Sequence, residues 1–233
     1  MNRLILFDID GTLLDTRGAG KRAFVRALRE VFSFREGLDE IRFAGATDLD
    51  ILEKIARRNH HALSPRDRET FMAVLPDFLR EELSREPPRL YPGVRELLEA
   101  LEARPQTTVG LVTGNIEPCA WIKLEACSIH DHFELGAFGH EHADRRDIAR
   151  LALARAVEHA GPFEAVSLIG DTPSDVDAAH HIGARAIAVA TGGYSMESLV
   201  AAGADVVWTN LSEIDLILSS LWGTVRESAN PPG

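Results

Sequence analysis

The chain has 233 residues, 45% of them hydrophobic and 26% charged, with a formal net charge of −11. That length suits one large domain or two modest ones, with enough apolar residues for a sizeable core. The acidic balance argues against a nucleic-acid or anionic-membrane surface, and no stretch approaches the roughly 18 apolar residues of a membrane-spanning helix.

The first expected element is the apolar run Leu4-Ile5-Leu6-Phe7, which enters without the layout of a signal peptide. It reads as a strand buried on both faces, as in a parallel sheet. The run leads straight into Asp8-Ile9-Asp10-Gly11. Strand alternation places both aspartates on one side, where like charges repel unless a cation lies between them. Asp-Gly alone would only make a turn. Two aspartates at alternate positions on a buried strand instead point to a metal or phosphoryl site at the carboxyl edge of the sheet.

Residues 16–85 read as almost entirely helical. Ala23, Phe24, Ala27, Leu28 and Val31 recur at helical spacing within 18–34. Thr47 or Asp48 caps a second helix through Leu49, Ile51, Leu52 and Ile55. Ser64 and Pro65 open a third as N-cap and first helical residue. It runs towards Glu86 with a kink expected at Pro76, and Pro87-Pro88 forms a stiff linker.

From Pro92 onward, helices and apolar strands alternate. Helices are expected over 93–103, 118–127, 144–159, 174–181, 196–202 and 211–221, and strands over 108–112, 133–138, 165–169, 186–190 and 205–208. Such alternation predicts a parallel sheet with helices on both faces. The expected fold class is therefore α/β: a Rossmann-like core from residues 1–15 and 89–226, with an all-α domain inserted at 16–88 and a disordered tail at 227–233. Cys119 and Cys127 fall about two helical turns apart on one expected helix, too far for a disulfide. A reducing cytoplasm is the expected location.

Polar residues converge at the carboxyl ends of three of these strands. The first delivers Asp8 and Asp10, the second Thr113-Gly114-Asn115, the third Gly170-Asp171-Thr172-Pro173-Ser174-Asp175. Each piece alone reads as a turn or helix entry; together they point to one site.

Through these three motifs, with Thr12 after the first and Tyr91-Pro92-Gly93-Val94 at the linker exit, the chain resembles the haloacid dehalogenase-like hydrolases, and among them phosphatases similar to phosphoglycolate phosphatase. The resemblance spans nearly the whole chain and implies that residues 16–88 are a helical cap domain. It implies that Asp8 is a nucleophile forming an aspartyl-phosphate, and that Asp10 is acid to the leaving alcohol and then base to water. It further implies Mg²⁺ held by the Asp8 carboxylate, the Asp10 carbonyl oxygen and Asp171, with Asp175 orienting the metal shell. Thr113 and Gly114 would hold phosphoryl oxygens, with Thr12 and Asn115 beside them. The substrate is expected to be a small phosphorylated metabolite, with no nucleic-acid or membrane partner, and the protein a monomer or homodimer.

Two positions depart from the family pattern. The usual catalytic lysine is replaced in Asp144-Arg145-Arg146-Asp147, where Arg145 falls at its place and can pair a carboxylate and a phosphate. Lysine is scarce, with only Lys21, Lys54 and Lys123, so Lys123 is the rival for that role. The loop Phe43-Ala44-Gly45-Ala46-Thr47-Asp48 resembles the family's specificity loop, which makes Thr47 and Asp48 candidates for substrate contact. Ala46 stands where related chains often carry arginine, which argues against a carboxylated substrate unless Arg17 or Arg42 substitutes. Gly18 and Gly20 are expected hinges. His140-Glu141-His142-Ala143-Asp144 has the look of a metal cluster, but paired histidines in polar loops are usually solvated. His60-His61 and His180-His181 fall at expected helix ends. A sugar-phosphate mutase shares every motif above. A 2-haloacid dehalogenase would lack the second aspartate, and a non-catalytic relative would have lost Asp8 or Asp10.

Overall fold

In the computed structural model, residues 2–222 are described. Strand β1 (Arg3–Phe7) is followed by a two-residue strand, β2 (Leu14–Asp15), and three helices, α1 (Ala19–Phe32), α2 (Asp48–Arg58) and α3 (Pro65–Arg85). A second short strand, β3 (Arg89–Leu90), returns antiparallel to β2, with Leu14 opposite Leu90. The two linkers of the helical insertion are thus tied together at its base.

The rest of the chain alternates: α4 (Val94–Glu102), β4 (Thr107–Val112), α5 (Glu117–Ala126), β5 (Leu135–Ala137), α6 (Arg145–Ala160), β6 (Ala165–Gly170), α7 (Pro173–His181), β7 (Arg185–Val189), α8 (Met196–Ala201), β8 (Val206–Trp208) and α9 (Ile214–Trp222). Six strands form one parallel sheet in the order β5-β4-β1-β6-β7-β8. The chain runs outward from β1 through β4 to β5, then crosses back to β6 on the other side of β1. Ligands of open α/β sheets bind at such a reversal, outside the carboxyl ends of the strands.

Alternation along β1 explains why it is apolar from Leu4 to Phe7. Ile5 and Phe7 join a core with α4, α5 and α9, whereas Leu4 and Leu6 join one with α6, α7 and α8. The insertion has a third core, where Phe24 meets Phe71 edge-on with ring centroids 4.9 Å apart. Ile116, Cys119 and Ile122, at the start of and along α5, belong to that same cluster. The insertion is therefore seated on the sheet domain through buried apolar contact, not tethered by its linkers alone.

Some expected elements differ. The strand expected over 133–138 is only Leu135–Ala137, because a 3₁₀ turn at His130–His132 takes the chain into it. The short β2–β3 pair carries too few residues for a periodic signal. Pro76 lies inside α3 without ending it. Thr47, not Asp48, is the N-cap of α2, its side chain accepting from the Asp50 amide. Cys119 is buried and Cys127 caps the end of α5; both are free thiols. The tail expected at 227–233 lies outside the described residues. Among those described, no helix is long and apolar enough to cross a membrane.

Candidate active site

Asp8 follows the last residue of β1 and stays on the ladder, its amide donating to the Ile169 carbonyl of β6. Its side chain is 8% exposed. Arg145, the first residue of α6, reaches it: Nη2 stands 2.5 Å from Asp8 Oδ1, 2.6 Å from Asp175 Oδ1 and 3.1 Å from the Val112 carbonyl oxygen. Asp144 N-caps that helix, so the helix start itself aims the guanidinium at the sheet edge.

Asp171 and Asp175 come from the turn between β6 and α7. Thr172 and Asp175 form a capping box, with Asp175 Oδ2 accepting from the Thr172 hydroxyl at 2.6 Å and from its amide at 3.0 Å. The box fixes one oxygen of Asp175 and leaves Oδ1 buried at the site, 2.6 Å from Arg145 Nη2. Asp8, Asp171 and Asp175 each offer an oxygen within 4.8 Å of the others. Burial raises the Asp8 carboxyl well above the usual carboxylate range; Arg145 opposes this, while Asp175 and Asp10 add to it. The Asp171 carboxyl is raised too, first by burial and then by Asp8 and Asp175. Burial works against the charge on Arg145, but Asp175 and Asp8 outweigh it and keep the guanidinium protonated. Three buried carboxylates with a single guanidinium cannot all ionise readily without further positive charge.

Asp10 turns to a different partner. Lys123 Nζ on α5 lies 2.8 and 2.6 Å from its two oxygens and 2.6 Å from Asn115 Oδ1. Asn115 Nδ2 donates to Asp10 Oδ2 and to Thr113 Oγ1, both at 2.7 Å. Lys123 is only 4% exposed, and its charge is held by Asp10 against the cost of burial. Strand alternation beyond Phe7 is broken by the turn at Ile9–Leu14, so the two aspartates line one cavity while pairing with separate cations.

The insertion closes over this floor. The Asp48 amide donates to the Gly114 carbonyl at 2.7 Å, and Asp48 Oδ2 accepts from the Ile116 amide at 2.8 Å, which supplies α5 with the cap its own sequence lacks. Burial pushes the Asp48 carboxyl up to about 6, against the pull of Lys123. The approach is close: a Cβ on Gly114 would fall 2.1 Å from the Ala46 carbonyl oxygen. Below the roof lies a cavity of about 280 Å³, lined on its floor by Asp8, Asp10, Thr113, Lys123, Arg145 and Asp171.

Asp8, Asp10, Thr113, Gly114, Asn115, Asp48, Lys123, Arg145 and Asp171 therefore border one cavity, with Asp175 behind Arg145. Thr12 and Thr47 do not border it. Thr12 is buried and its hydroxyl donates to Asp171 Oδ1 at 3.3 Å; the Thr47 hydroxyl donates to the Ala143 carbonyl at 3.1 Å. The histidine-rich loop assembles no cluster: Glu141 pairs with Arg155, and His140 Nδ1 accepts from the Glu117 amide. Arg146 pairs with Asp144 on the surface. Sequence reasoning missed Gly192 and Gly193, which border the cavity after β7. A Cβ on Gly192 would fall 1.7 Å from Asp171 Oδ2. Thr191-Gly192-Gly193 at a strand end was the available signal, though it reads equally as a plain turn.

A family model described as haloacid dehalogenase-like hydrolase matches residues 5–189. The chain belongs to that family. It is 31% identical over 220 residues to the probable phosphatase IndB of Dickeya dadantii, covering 92% of each chain. It is 29% identical over 219 residues to the phosphoglycolate phosphatase of Chromobacterium violaceum, covering 91% of this chain and 94% of that one. Among solved structures, a hydrolase from Pseudomonas syringae superposes with a TM-score of 0.69 at 22% identity, covering 94% and 99% of the two chains. The fold is thus shared over 94% of the chain, and the three strand-end motifs lie inside the region that the family model matches.

Proposed function

We propose that this hydrolase is a Mg²⁺-dependent phosphomonoesterase that works through an aspartyl-phosphate on Asp8. The observation that carries this reading is the arrangement of Asp8: one oxygen on Arg145, with Asp171 and Asp175 close enough to share a cation with it. The phosphatase names of its relatives support the same reading.

The donor set fits Mg²⁺. Its donors are all oxygens, hard ligands suited to that cation, and Asp8, Asp171 and Asp175 each bring one within 4.8 Å of the others. Asp8, Asp171 and the Asp10 carbonyl would hold the ion, with Asp175 steadying them. When bound, it would offset the mutual repulsion of these carboxylates and the charge of the phosphoryl group.

The protein's own groups account for the remaining chemistry. Asp8 attacks phosphorus as the bond to the leaving oxygen breaks, and Asp10 gives that oxygen its proton. Asp10 then takes a proton from water as the water attacks the aspartyl-phosphate, releasing phosphate and restoring the Asp8 carboxylate. Arg145 and the Thr113 hydroxyl hold phosphoryl oxygens while charge builds on them, and Lys123 keeps Asp10 oriented. Residues 16–88 act as the cap, hinged near Gly18 and closing water out.

Phosphate release from an aryl phosphate should require Mg²⁺, cease in EDTA, and fall by about a thousandfold or more in Asp8→Asn. Wild-type protein that releases no phosphate with Mg²⁺ bound would overturn the reading and favour transfer of the phosphoryl group to a second sugar hydroxyl.

A further inference from the structure

Floor and roof of the cavity differ in chemistry. The insertion's contribution is mainly Phe24, Phe43, Leu75 and Leu79, completed by Cys119 from α5. Phe24 and Phe43 meet edge-on with centroids 5.4 Å apart; Phe24, Leu75, Leu79 and Cys119 are each at most 3% exposed. This is one edge of the insertion's own hydrophobic cluster at the cavity wall, close-packed except at the half-buried Phe43.

Few charges of the insertion reach that space. Arg17 and Arg22 pair with Glu86, Arg22 and Arg26 with the buried Glu82, Arg58 with Glu40 and Arg68 with Glu53. No arginine of the insertion borders the cavity, Arg17 and Arg42 included. Lys21 is its one cation there, with Nζ 3.2 Å from the exposed Asp39 carbonyl. Asp48 also borders it, and would repel a carboxylate on the leaving group. An ionised carboxylate buried among phenyl and leucine side chains loses several kcal/mol of hydration without a partner. A sugar ring would leave hydroxyls unpaired at about 1–3 kcal/mol each.

We propose that the leaving alcohol has an apolar body, aromatic or branched aliphatic, seated against Phe24, Phe43, Leu75 and Leu79. The proposal rests on the phosphatase reading and adds the substrate class. It departs from the relatives named phosphoglycolate phosphatase, since phosphoglycolate carries a carboxylate.

Two phosphonates share a CH₂–PO₃ group and carry a phenyl ring or a carboxylate where the roof would touch: benzylphosphonate and phosphonoacetate. By calorimetry with Mg²⁺, benzylphosphonate should bind at least about tenfold more tightly. Benzyl phosphate should likewise exceed phosphoglycolate and glucose 6-phosphate in kcat/KM by a similar factor. Phe43→Arg, at a half-buried loop position, should reverse the phosphonate preference. Equal or reversed preference in the wild type, or binding of neither phosphonate, overturns the proposal. No ester hydrolysed while benzylphosphonate keeps its preference would instead overturn the phosphatase reading and uphold the apolar roof.

Discussion

Asp8 and Asp10 are two residues apart and border the same cavity, yet their surroundings have little in common. Asp8 belongs to a sealed cluster with Asp171 and Asp175, where a single guanidinium serves several carboxylates. Asp10 has a side chain 41% exposed and an ammonium of its own, braced by Asn115. The difference fits two tasks under the proposed mechanism. A nucleophile needs a fixed line of attack and a place where charge can build, which the buried cluster supplies. An acid–base group must exchange protons with an alcohol and then water, which needs access together with orientation.

Replacing Arg145 should break this comparison most severely. Arg145→Ala leaves three carboxylates around an empty space, so turnover should fall by at least ~10-fold on every ester. Mg²⁺ should half-saturate the variant at a lower concentration than the wild type, since the cation then meets less competing positive charge. Arg145→Lys should restore part of the activity but not the simultaneous contact with Asp8 and Asp175. Turnover within about twofold of wild type in the alanine variant would move the role to Lys123.

Lys123 offers a sharper, smaller effect. If it serves Asp10, Lys123→Met should slow alkyl phosphates by ~10-fold and p-nitrophenyl phosphate only about two- to threefold, because a good leaving group hardly needs a proton. Arg145→Ala should show no such dependence on the leaving group. Equal losses on both ester types would mean that Lys123 stabilises the phosphoryl group directly.

The two cations also mark where sequence reasoning reaches its limit. The floor was legible because its signals are local: apolar runs ending in Asp8, Thr113 and Asp171 need only be parallel to converge. Arg145 was placed by its position at the start of α6. The sequence makes Lys123 its rival, yet both are buried, each on a different aspartate. Spacing along α5 shows only that Lys123 lies two turns inside a helix, not which strand end that helix crosses. The roof was hidden for a related reason. Phe24 has the period of a core residue and is one; that the same cluster borders the cavity depends on how the insertion sits on Gly114. Thr47 looked like a substrate contact but instead caps α2 and ties the insertion to Ala143.

Asp48 tests that seating with the smallest expected effect. Its carboxyl is raised to about 6 from an ordinary value of 3.8, so the folded protein holds the proton more tightly than the unfolded chain. Its contribution to stability is full below about pH 4 and is lost as pH rises through about 6; at roughly 1.4 kcal/mol per unit, the loss approaches 3 kcal/mol. Asn at this position can still accept from the Ile116 amide and carries no charge to bury. Asp48→Asn should therefore gain stability relative to wild type between pH 4 and 7, by about 1–3 kcal/mol in urea titrations without Mg²⁺. A variant that loses ground over the same range would show that the attraction of Lys123 outweighs burial. The carboxylate would then be a charged clasp between insertion and sheet, and cap closure itself would depend on Lys123.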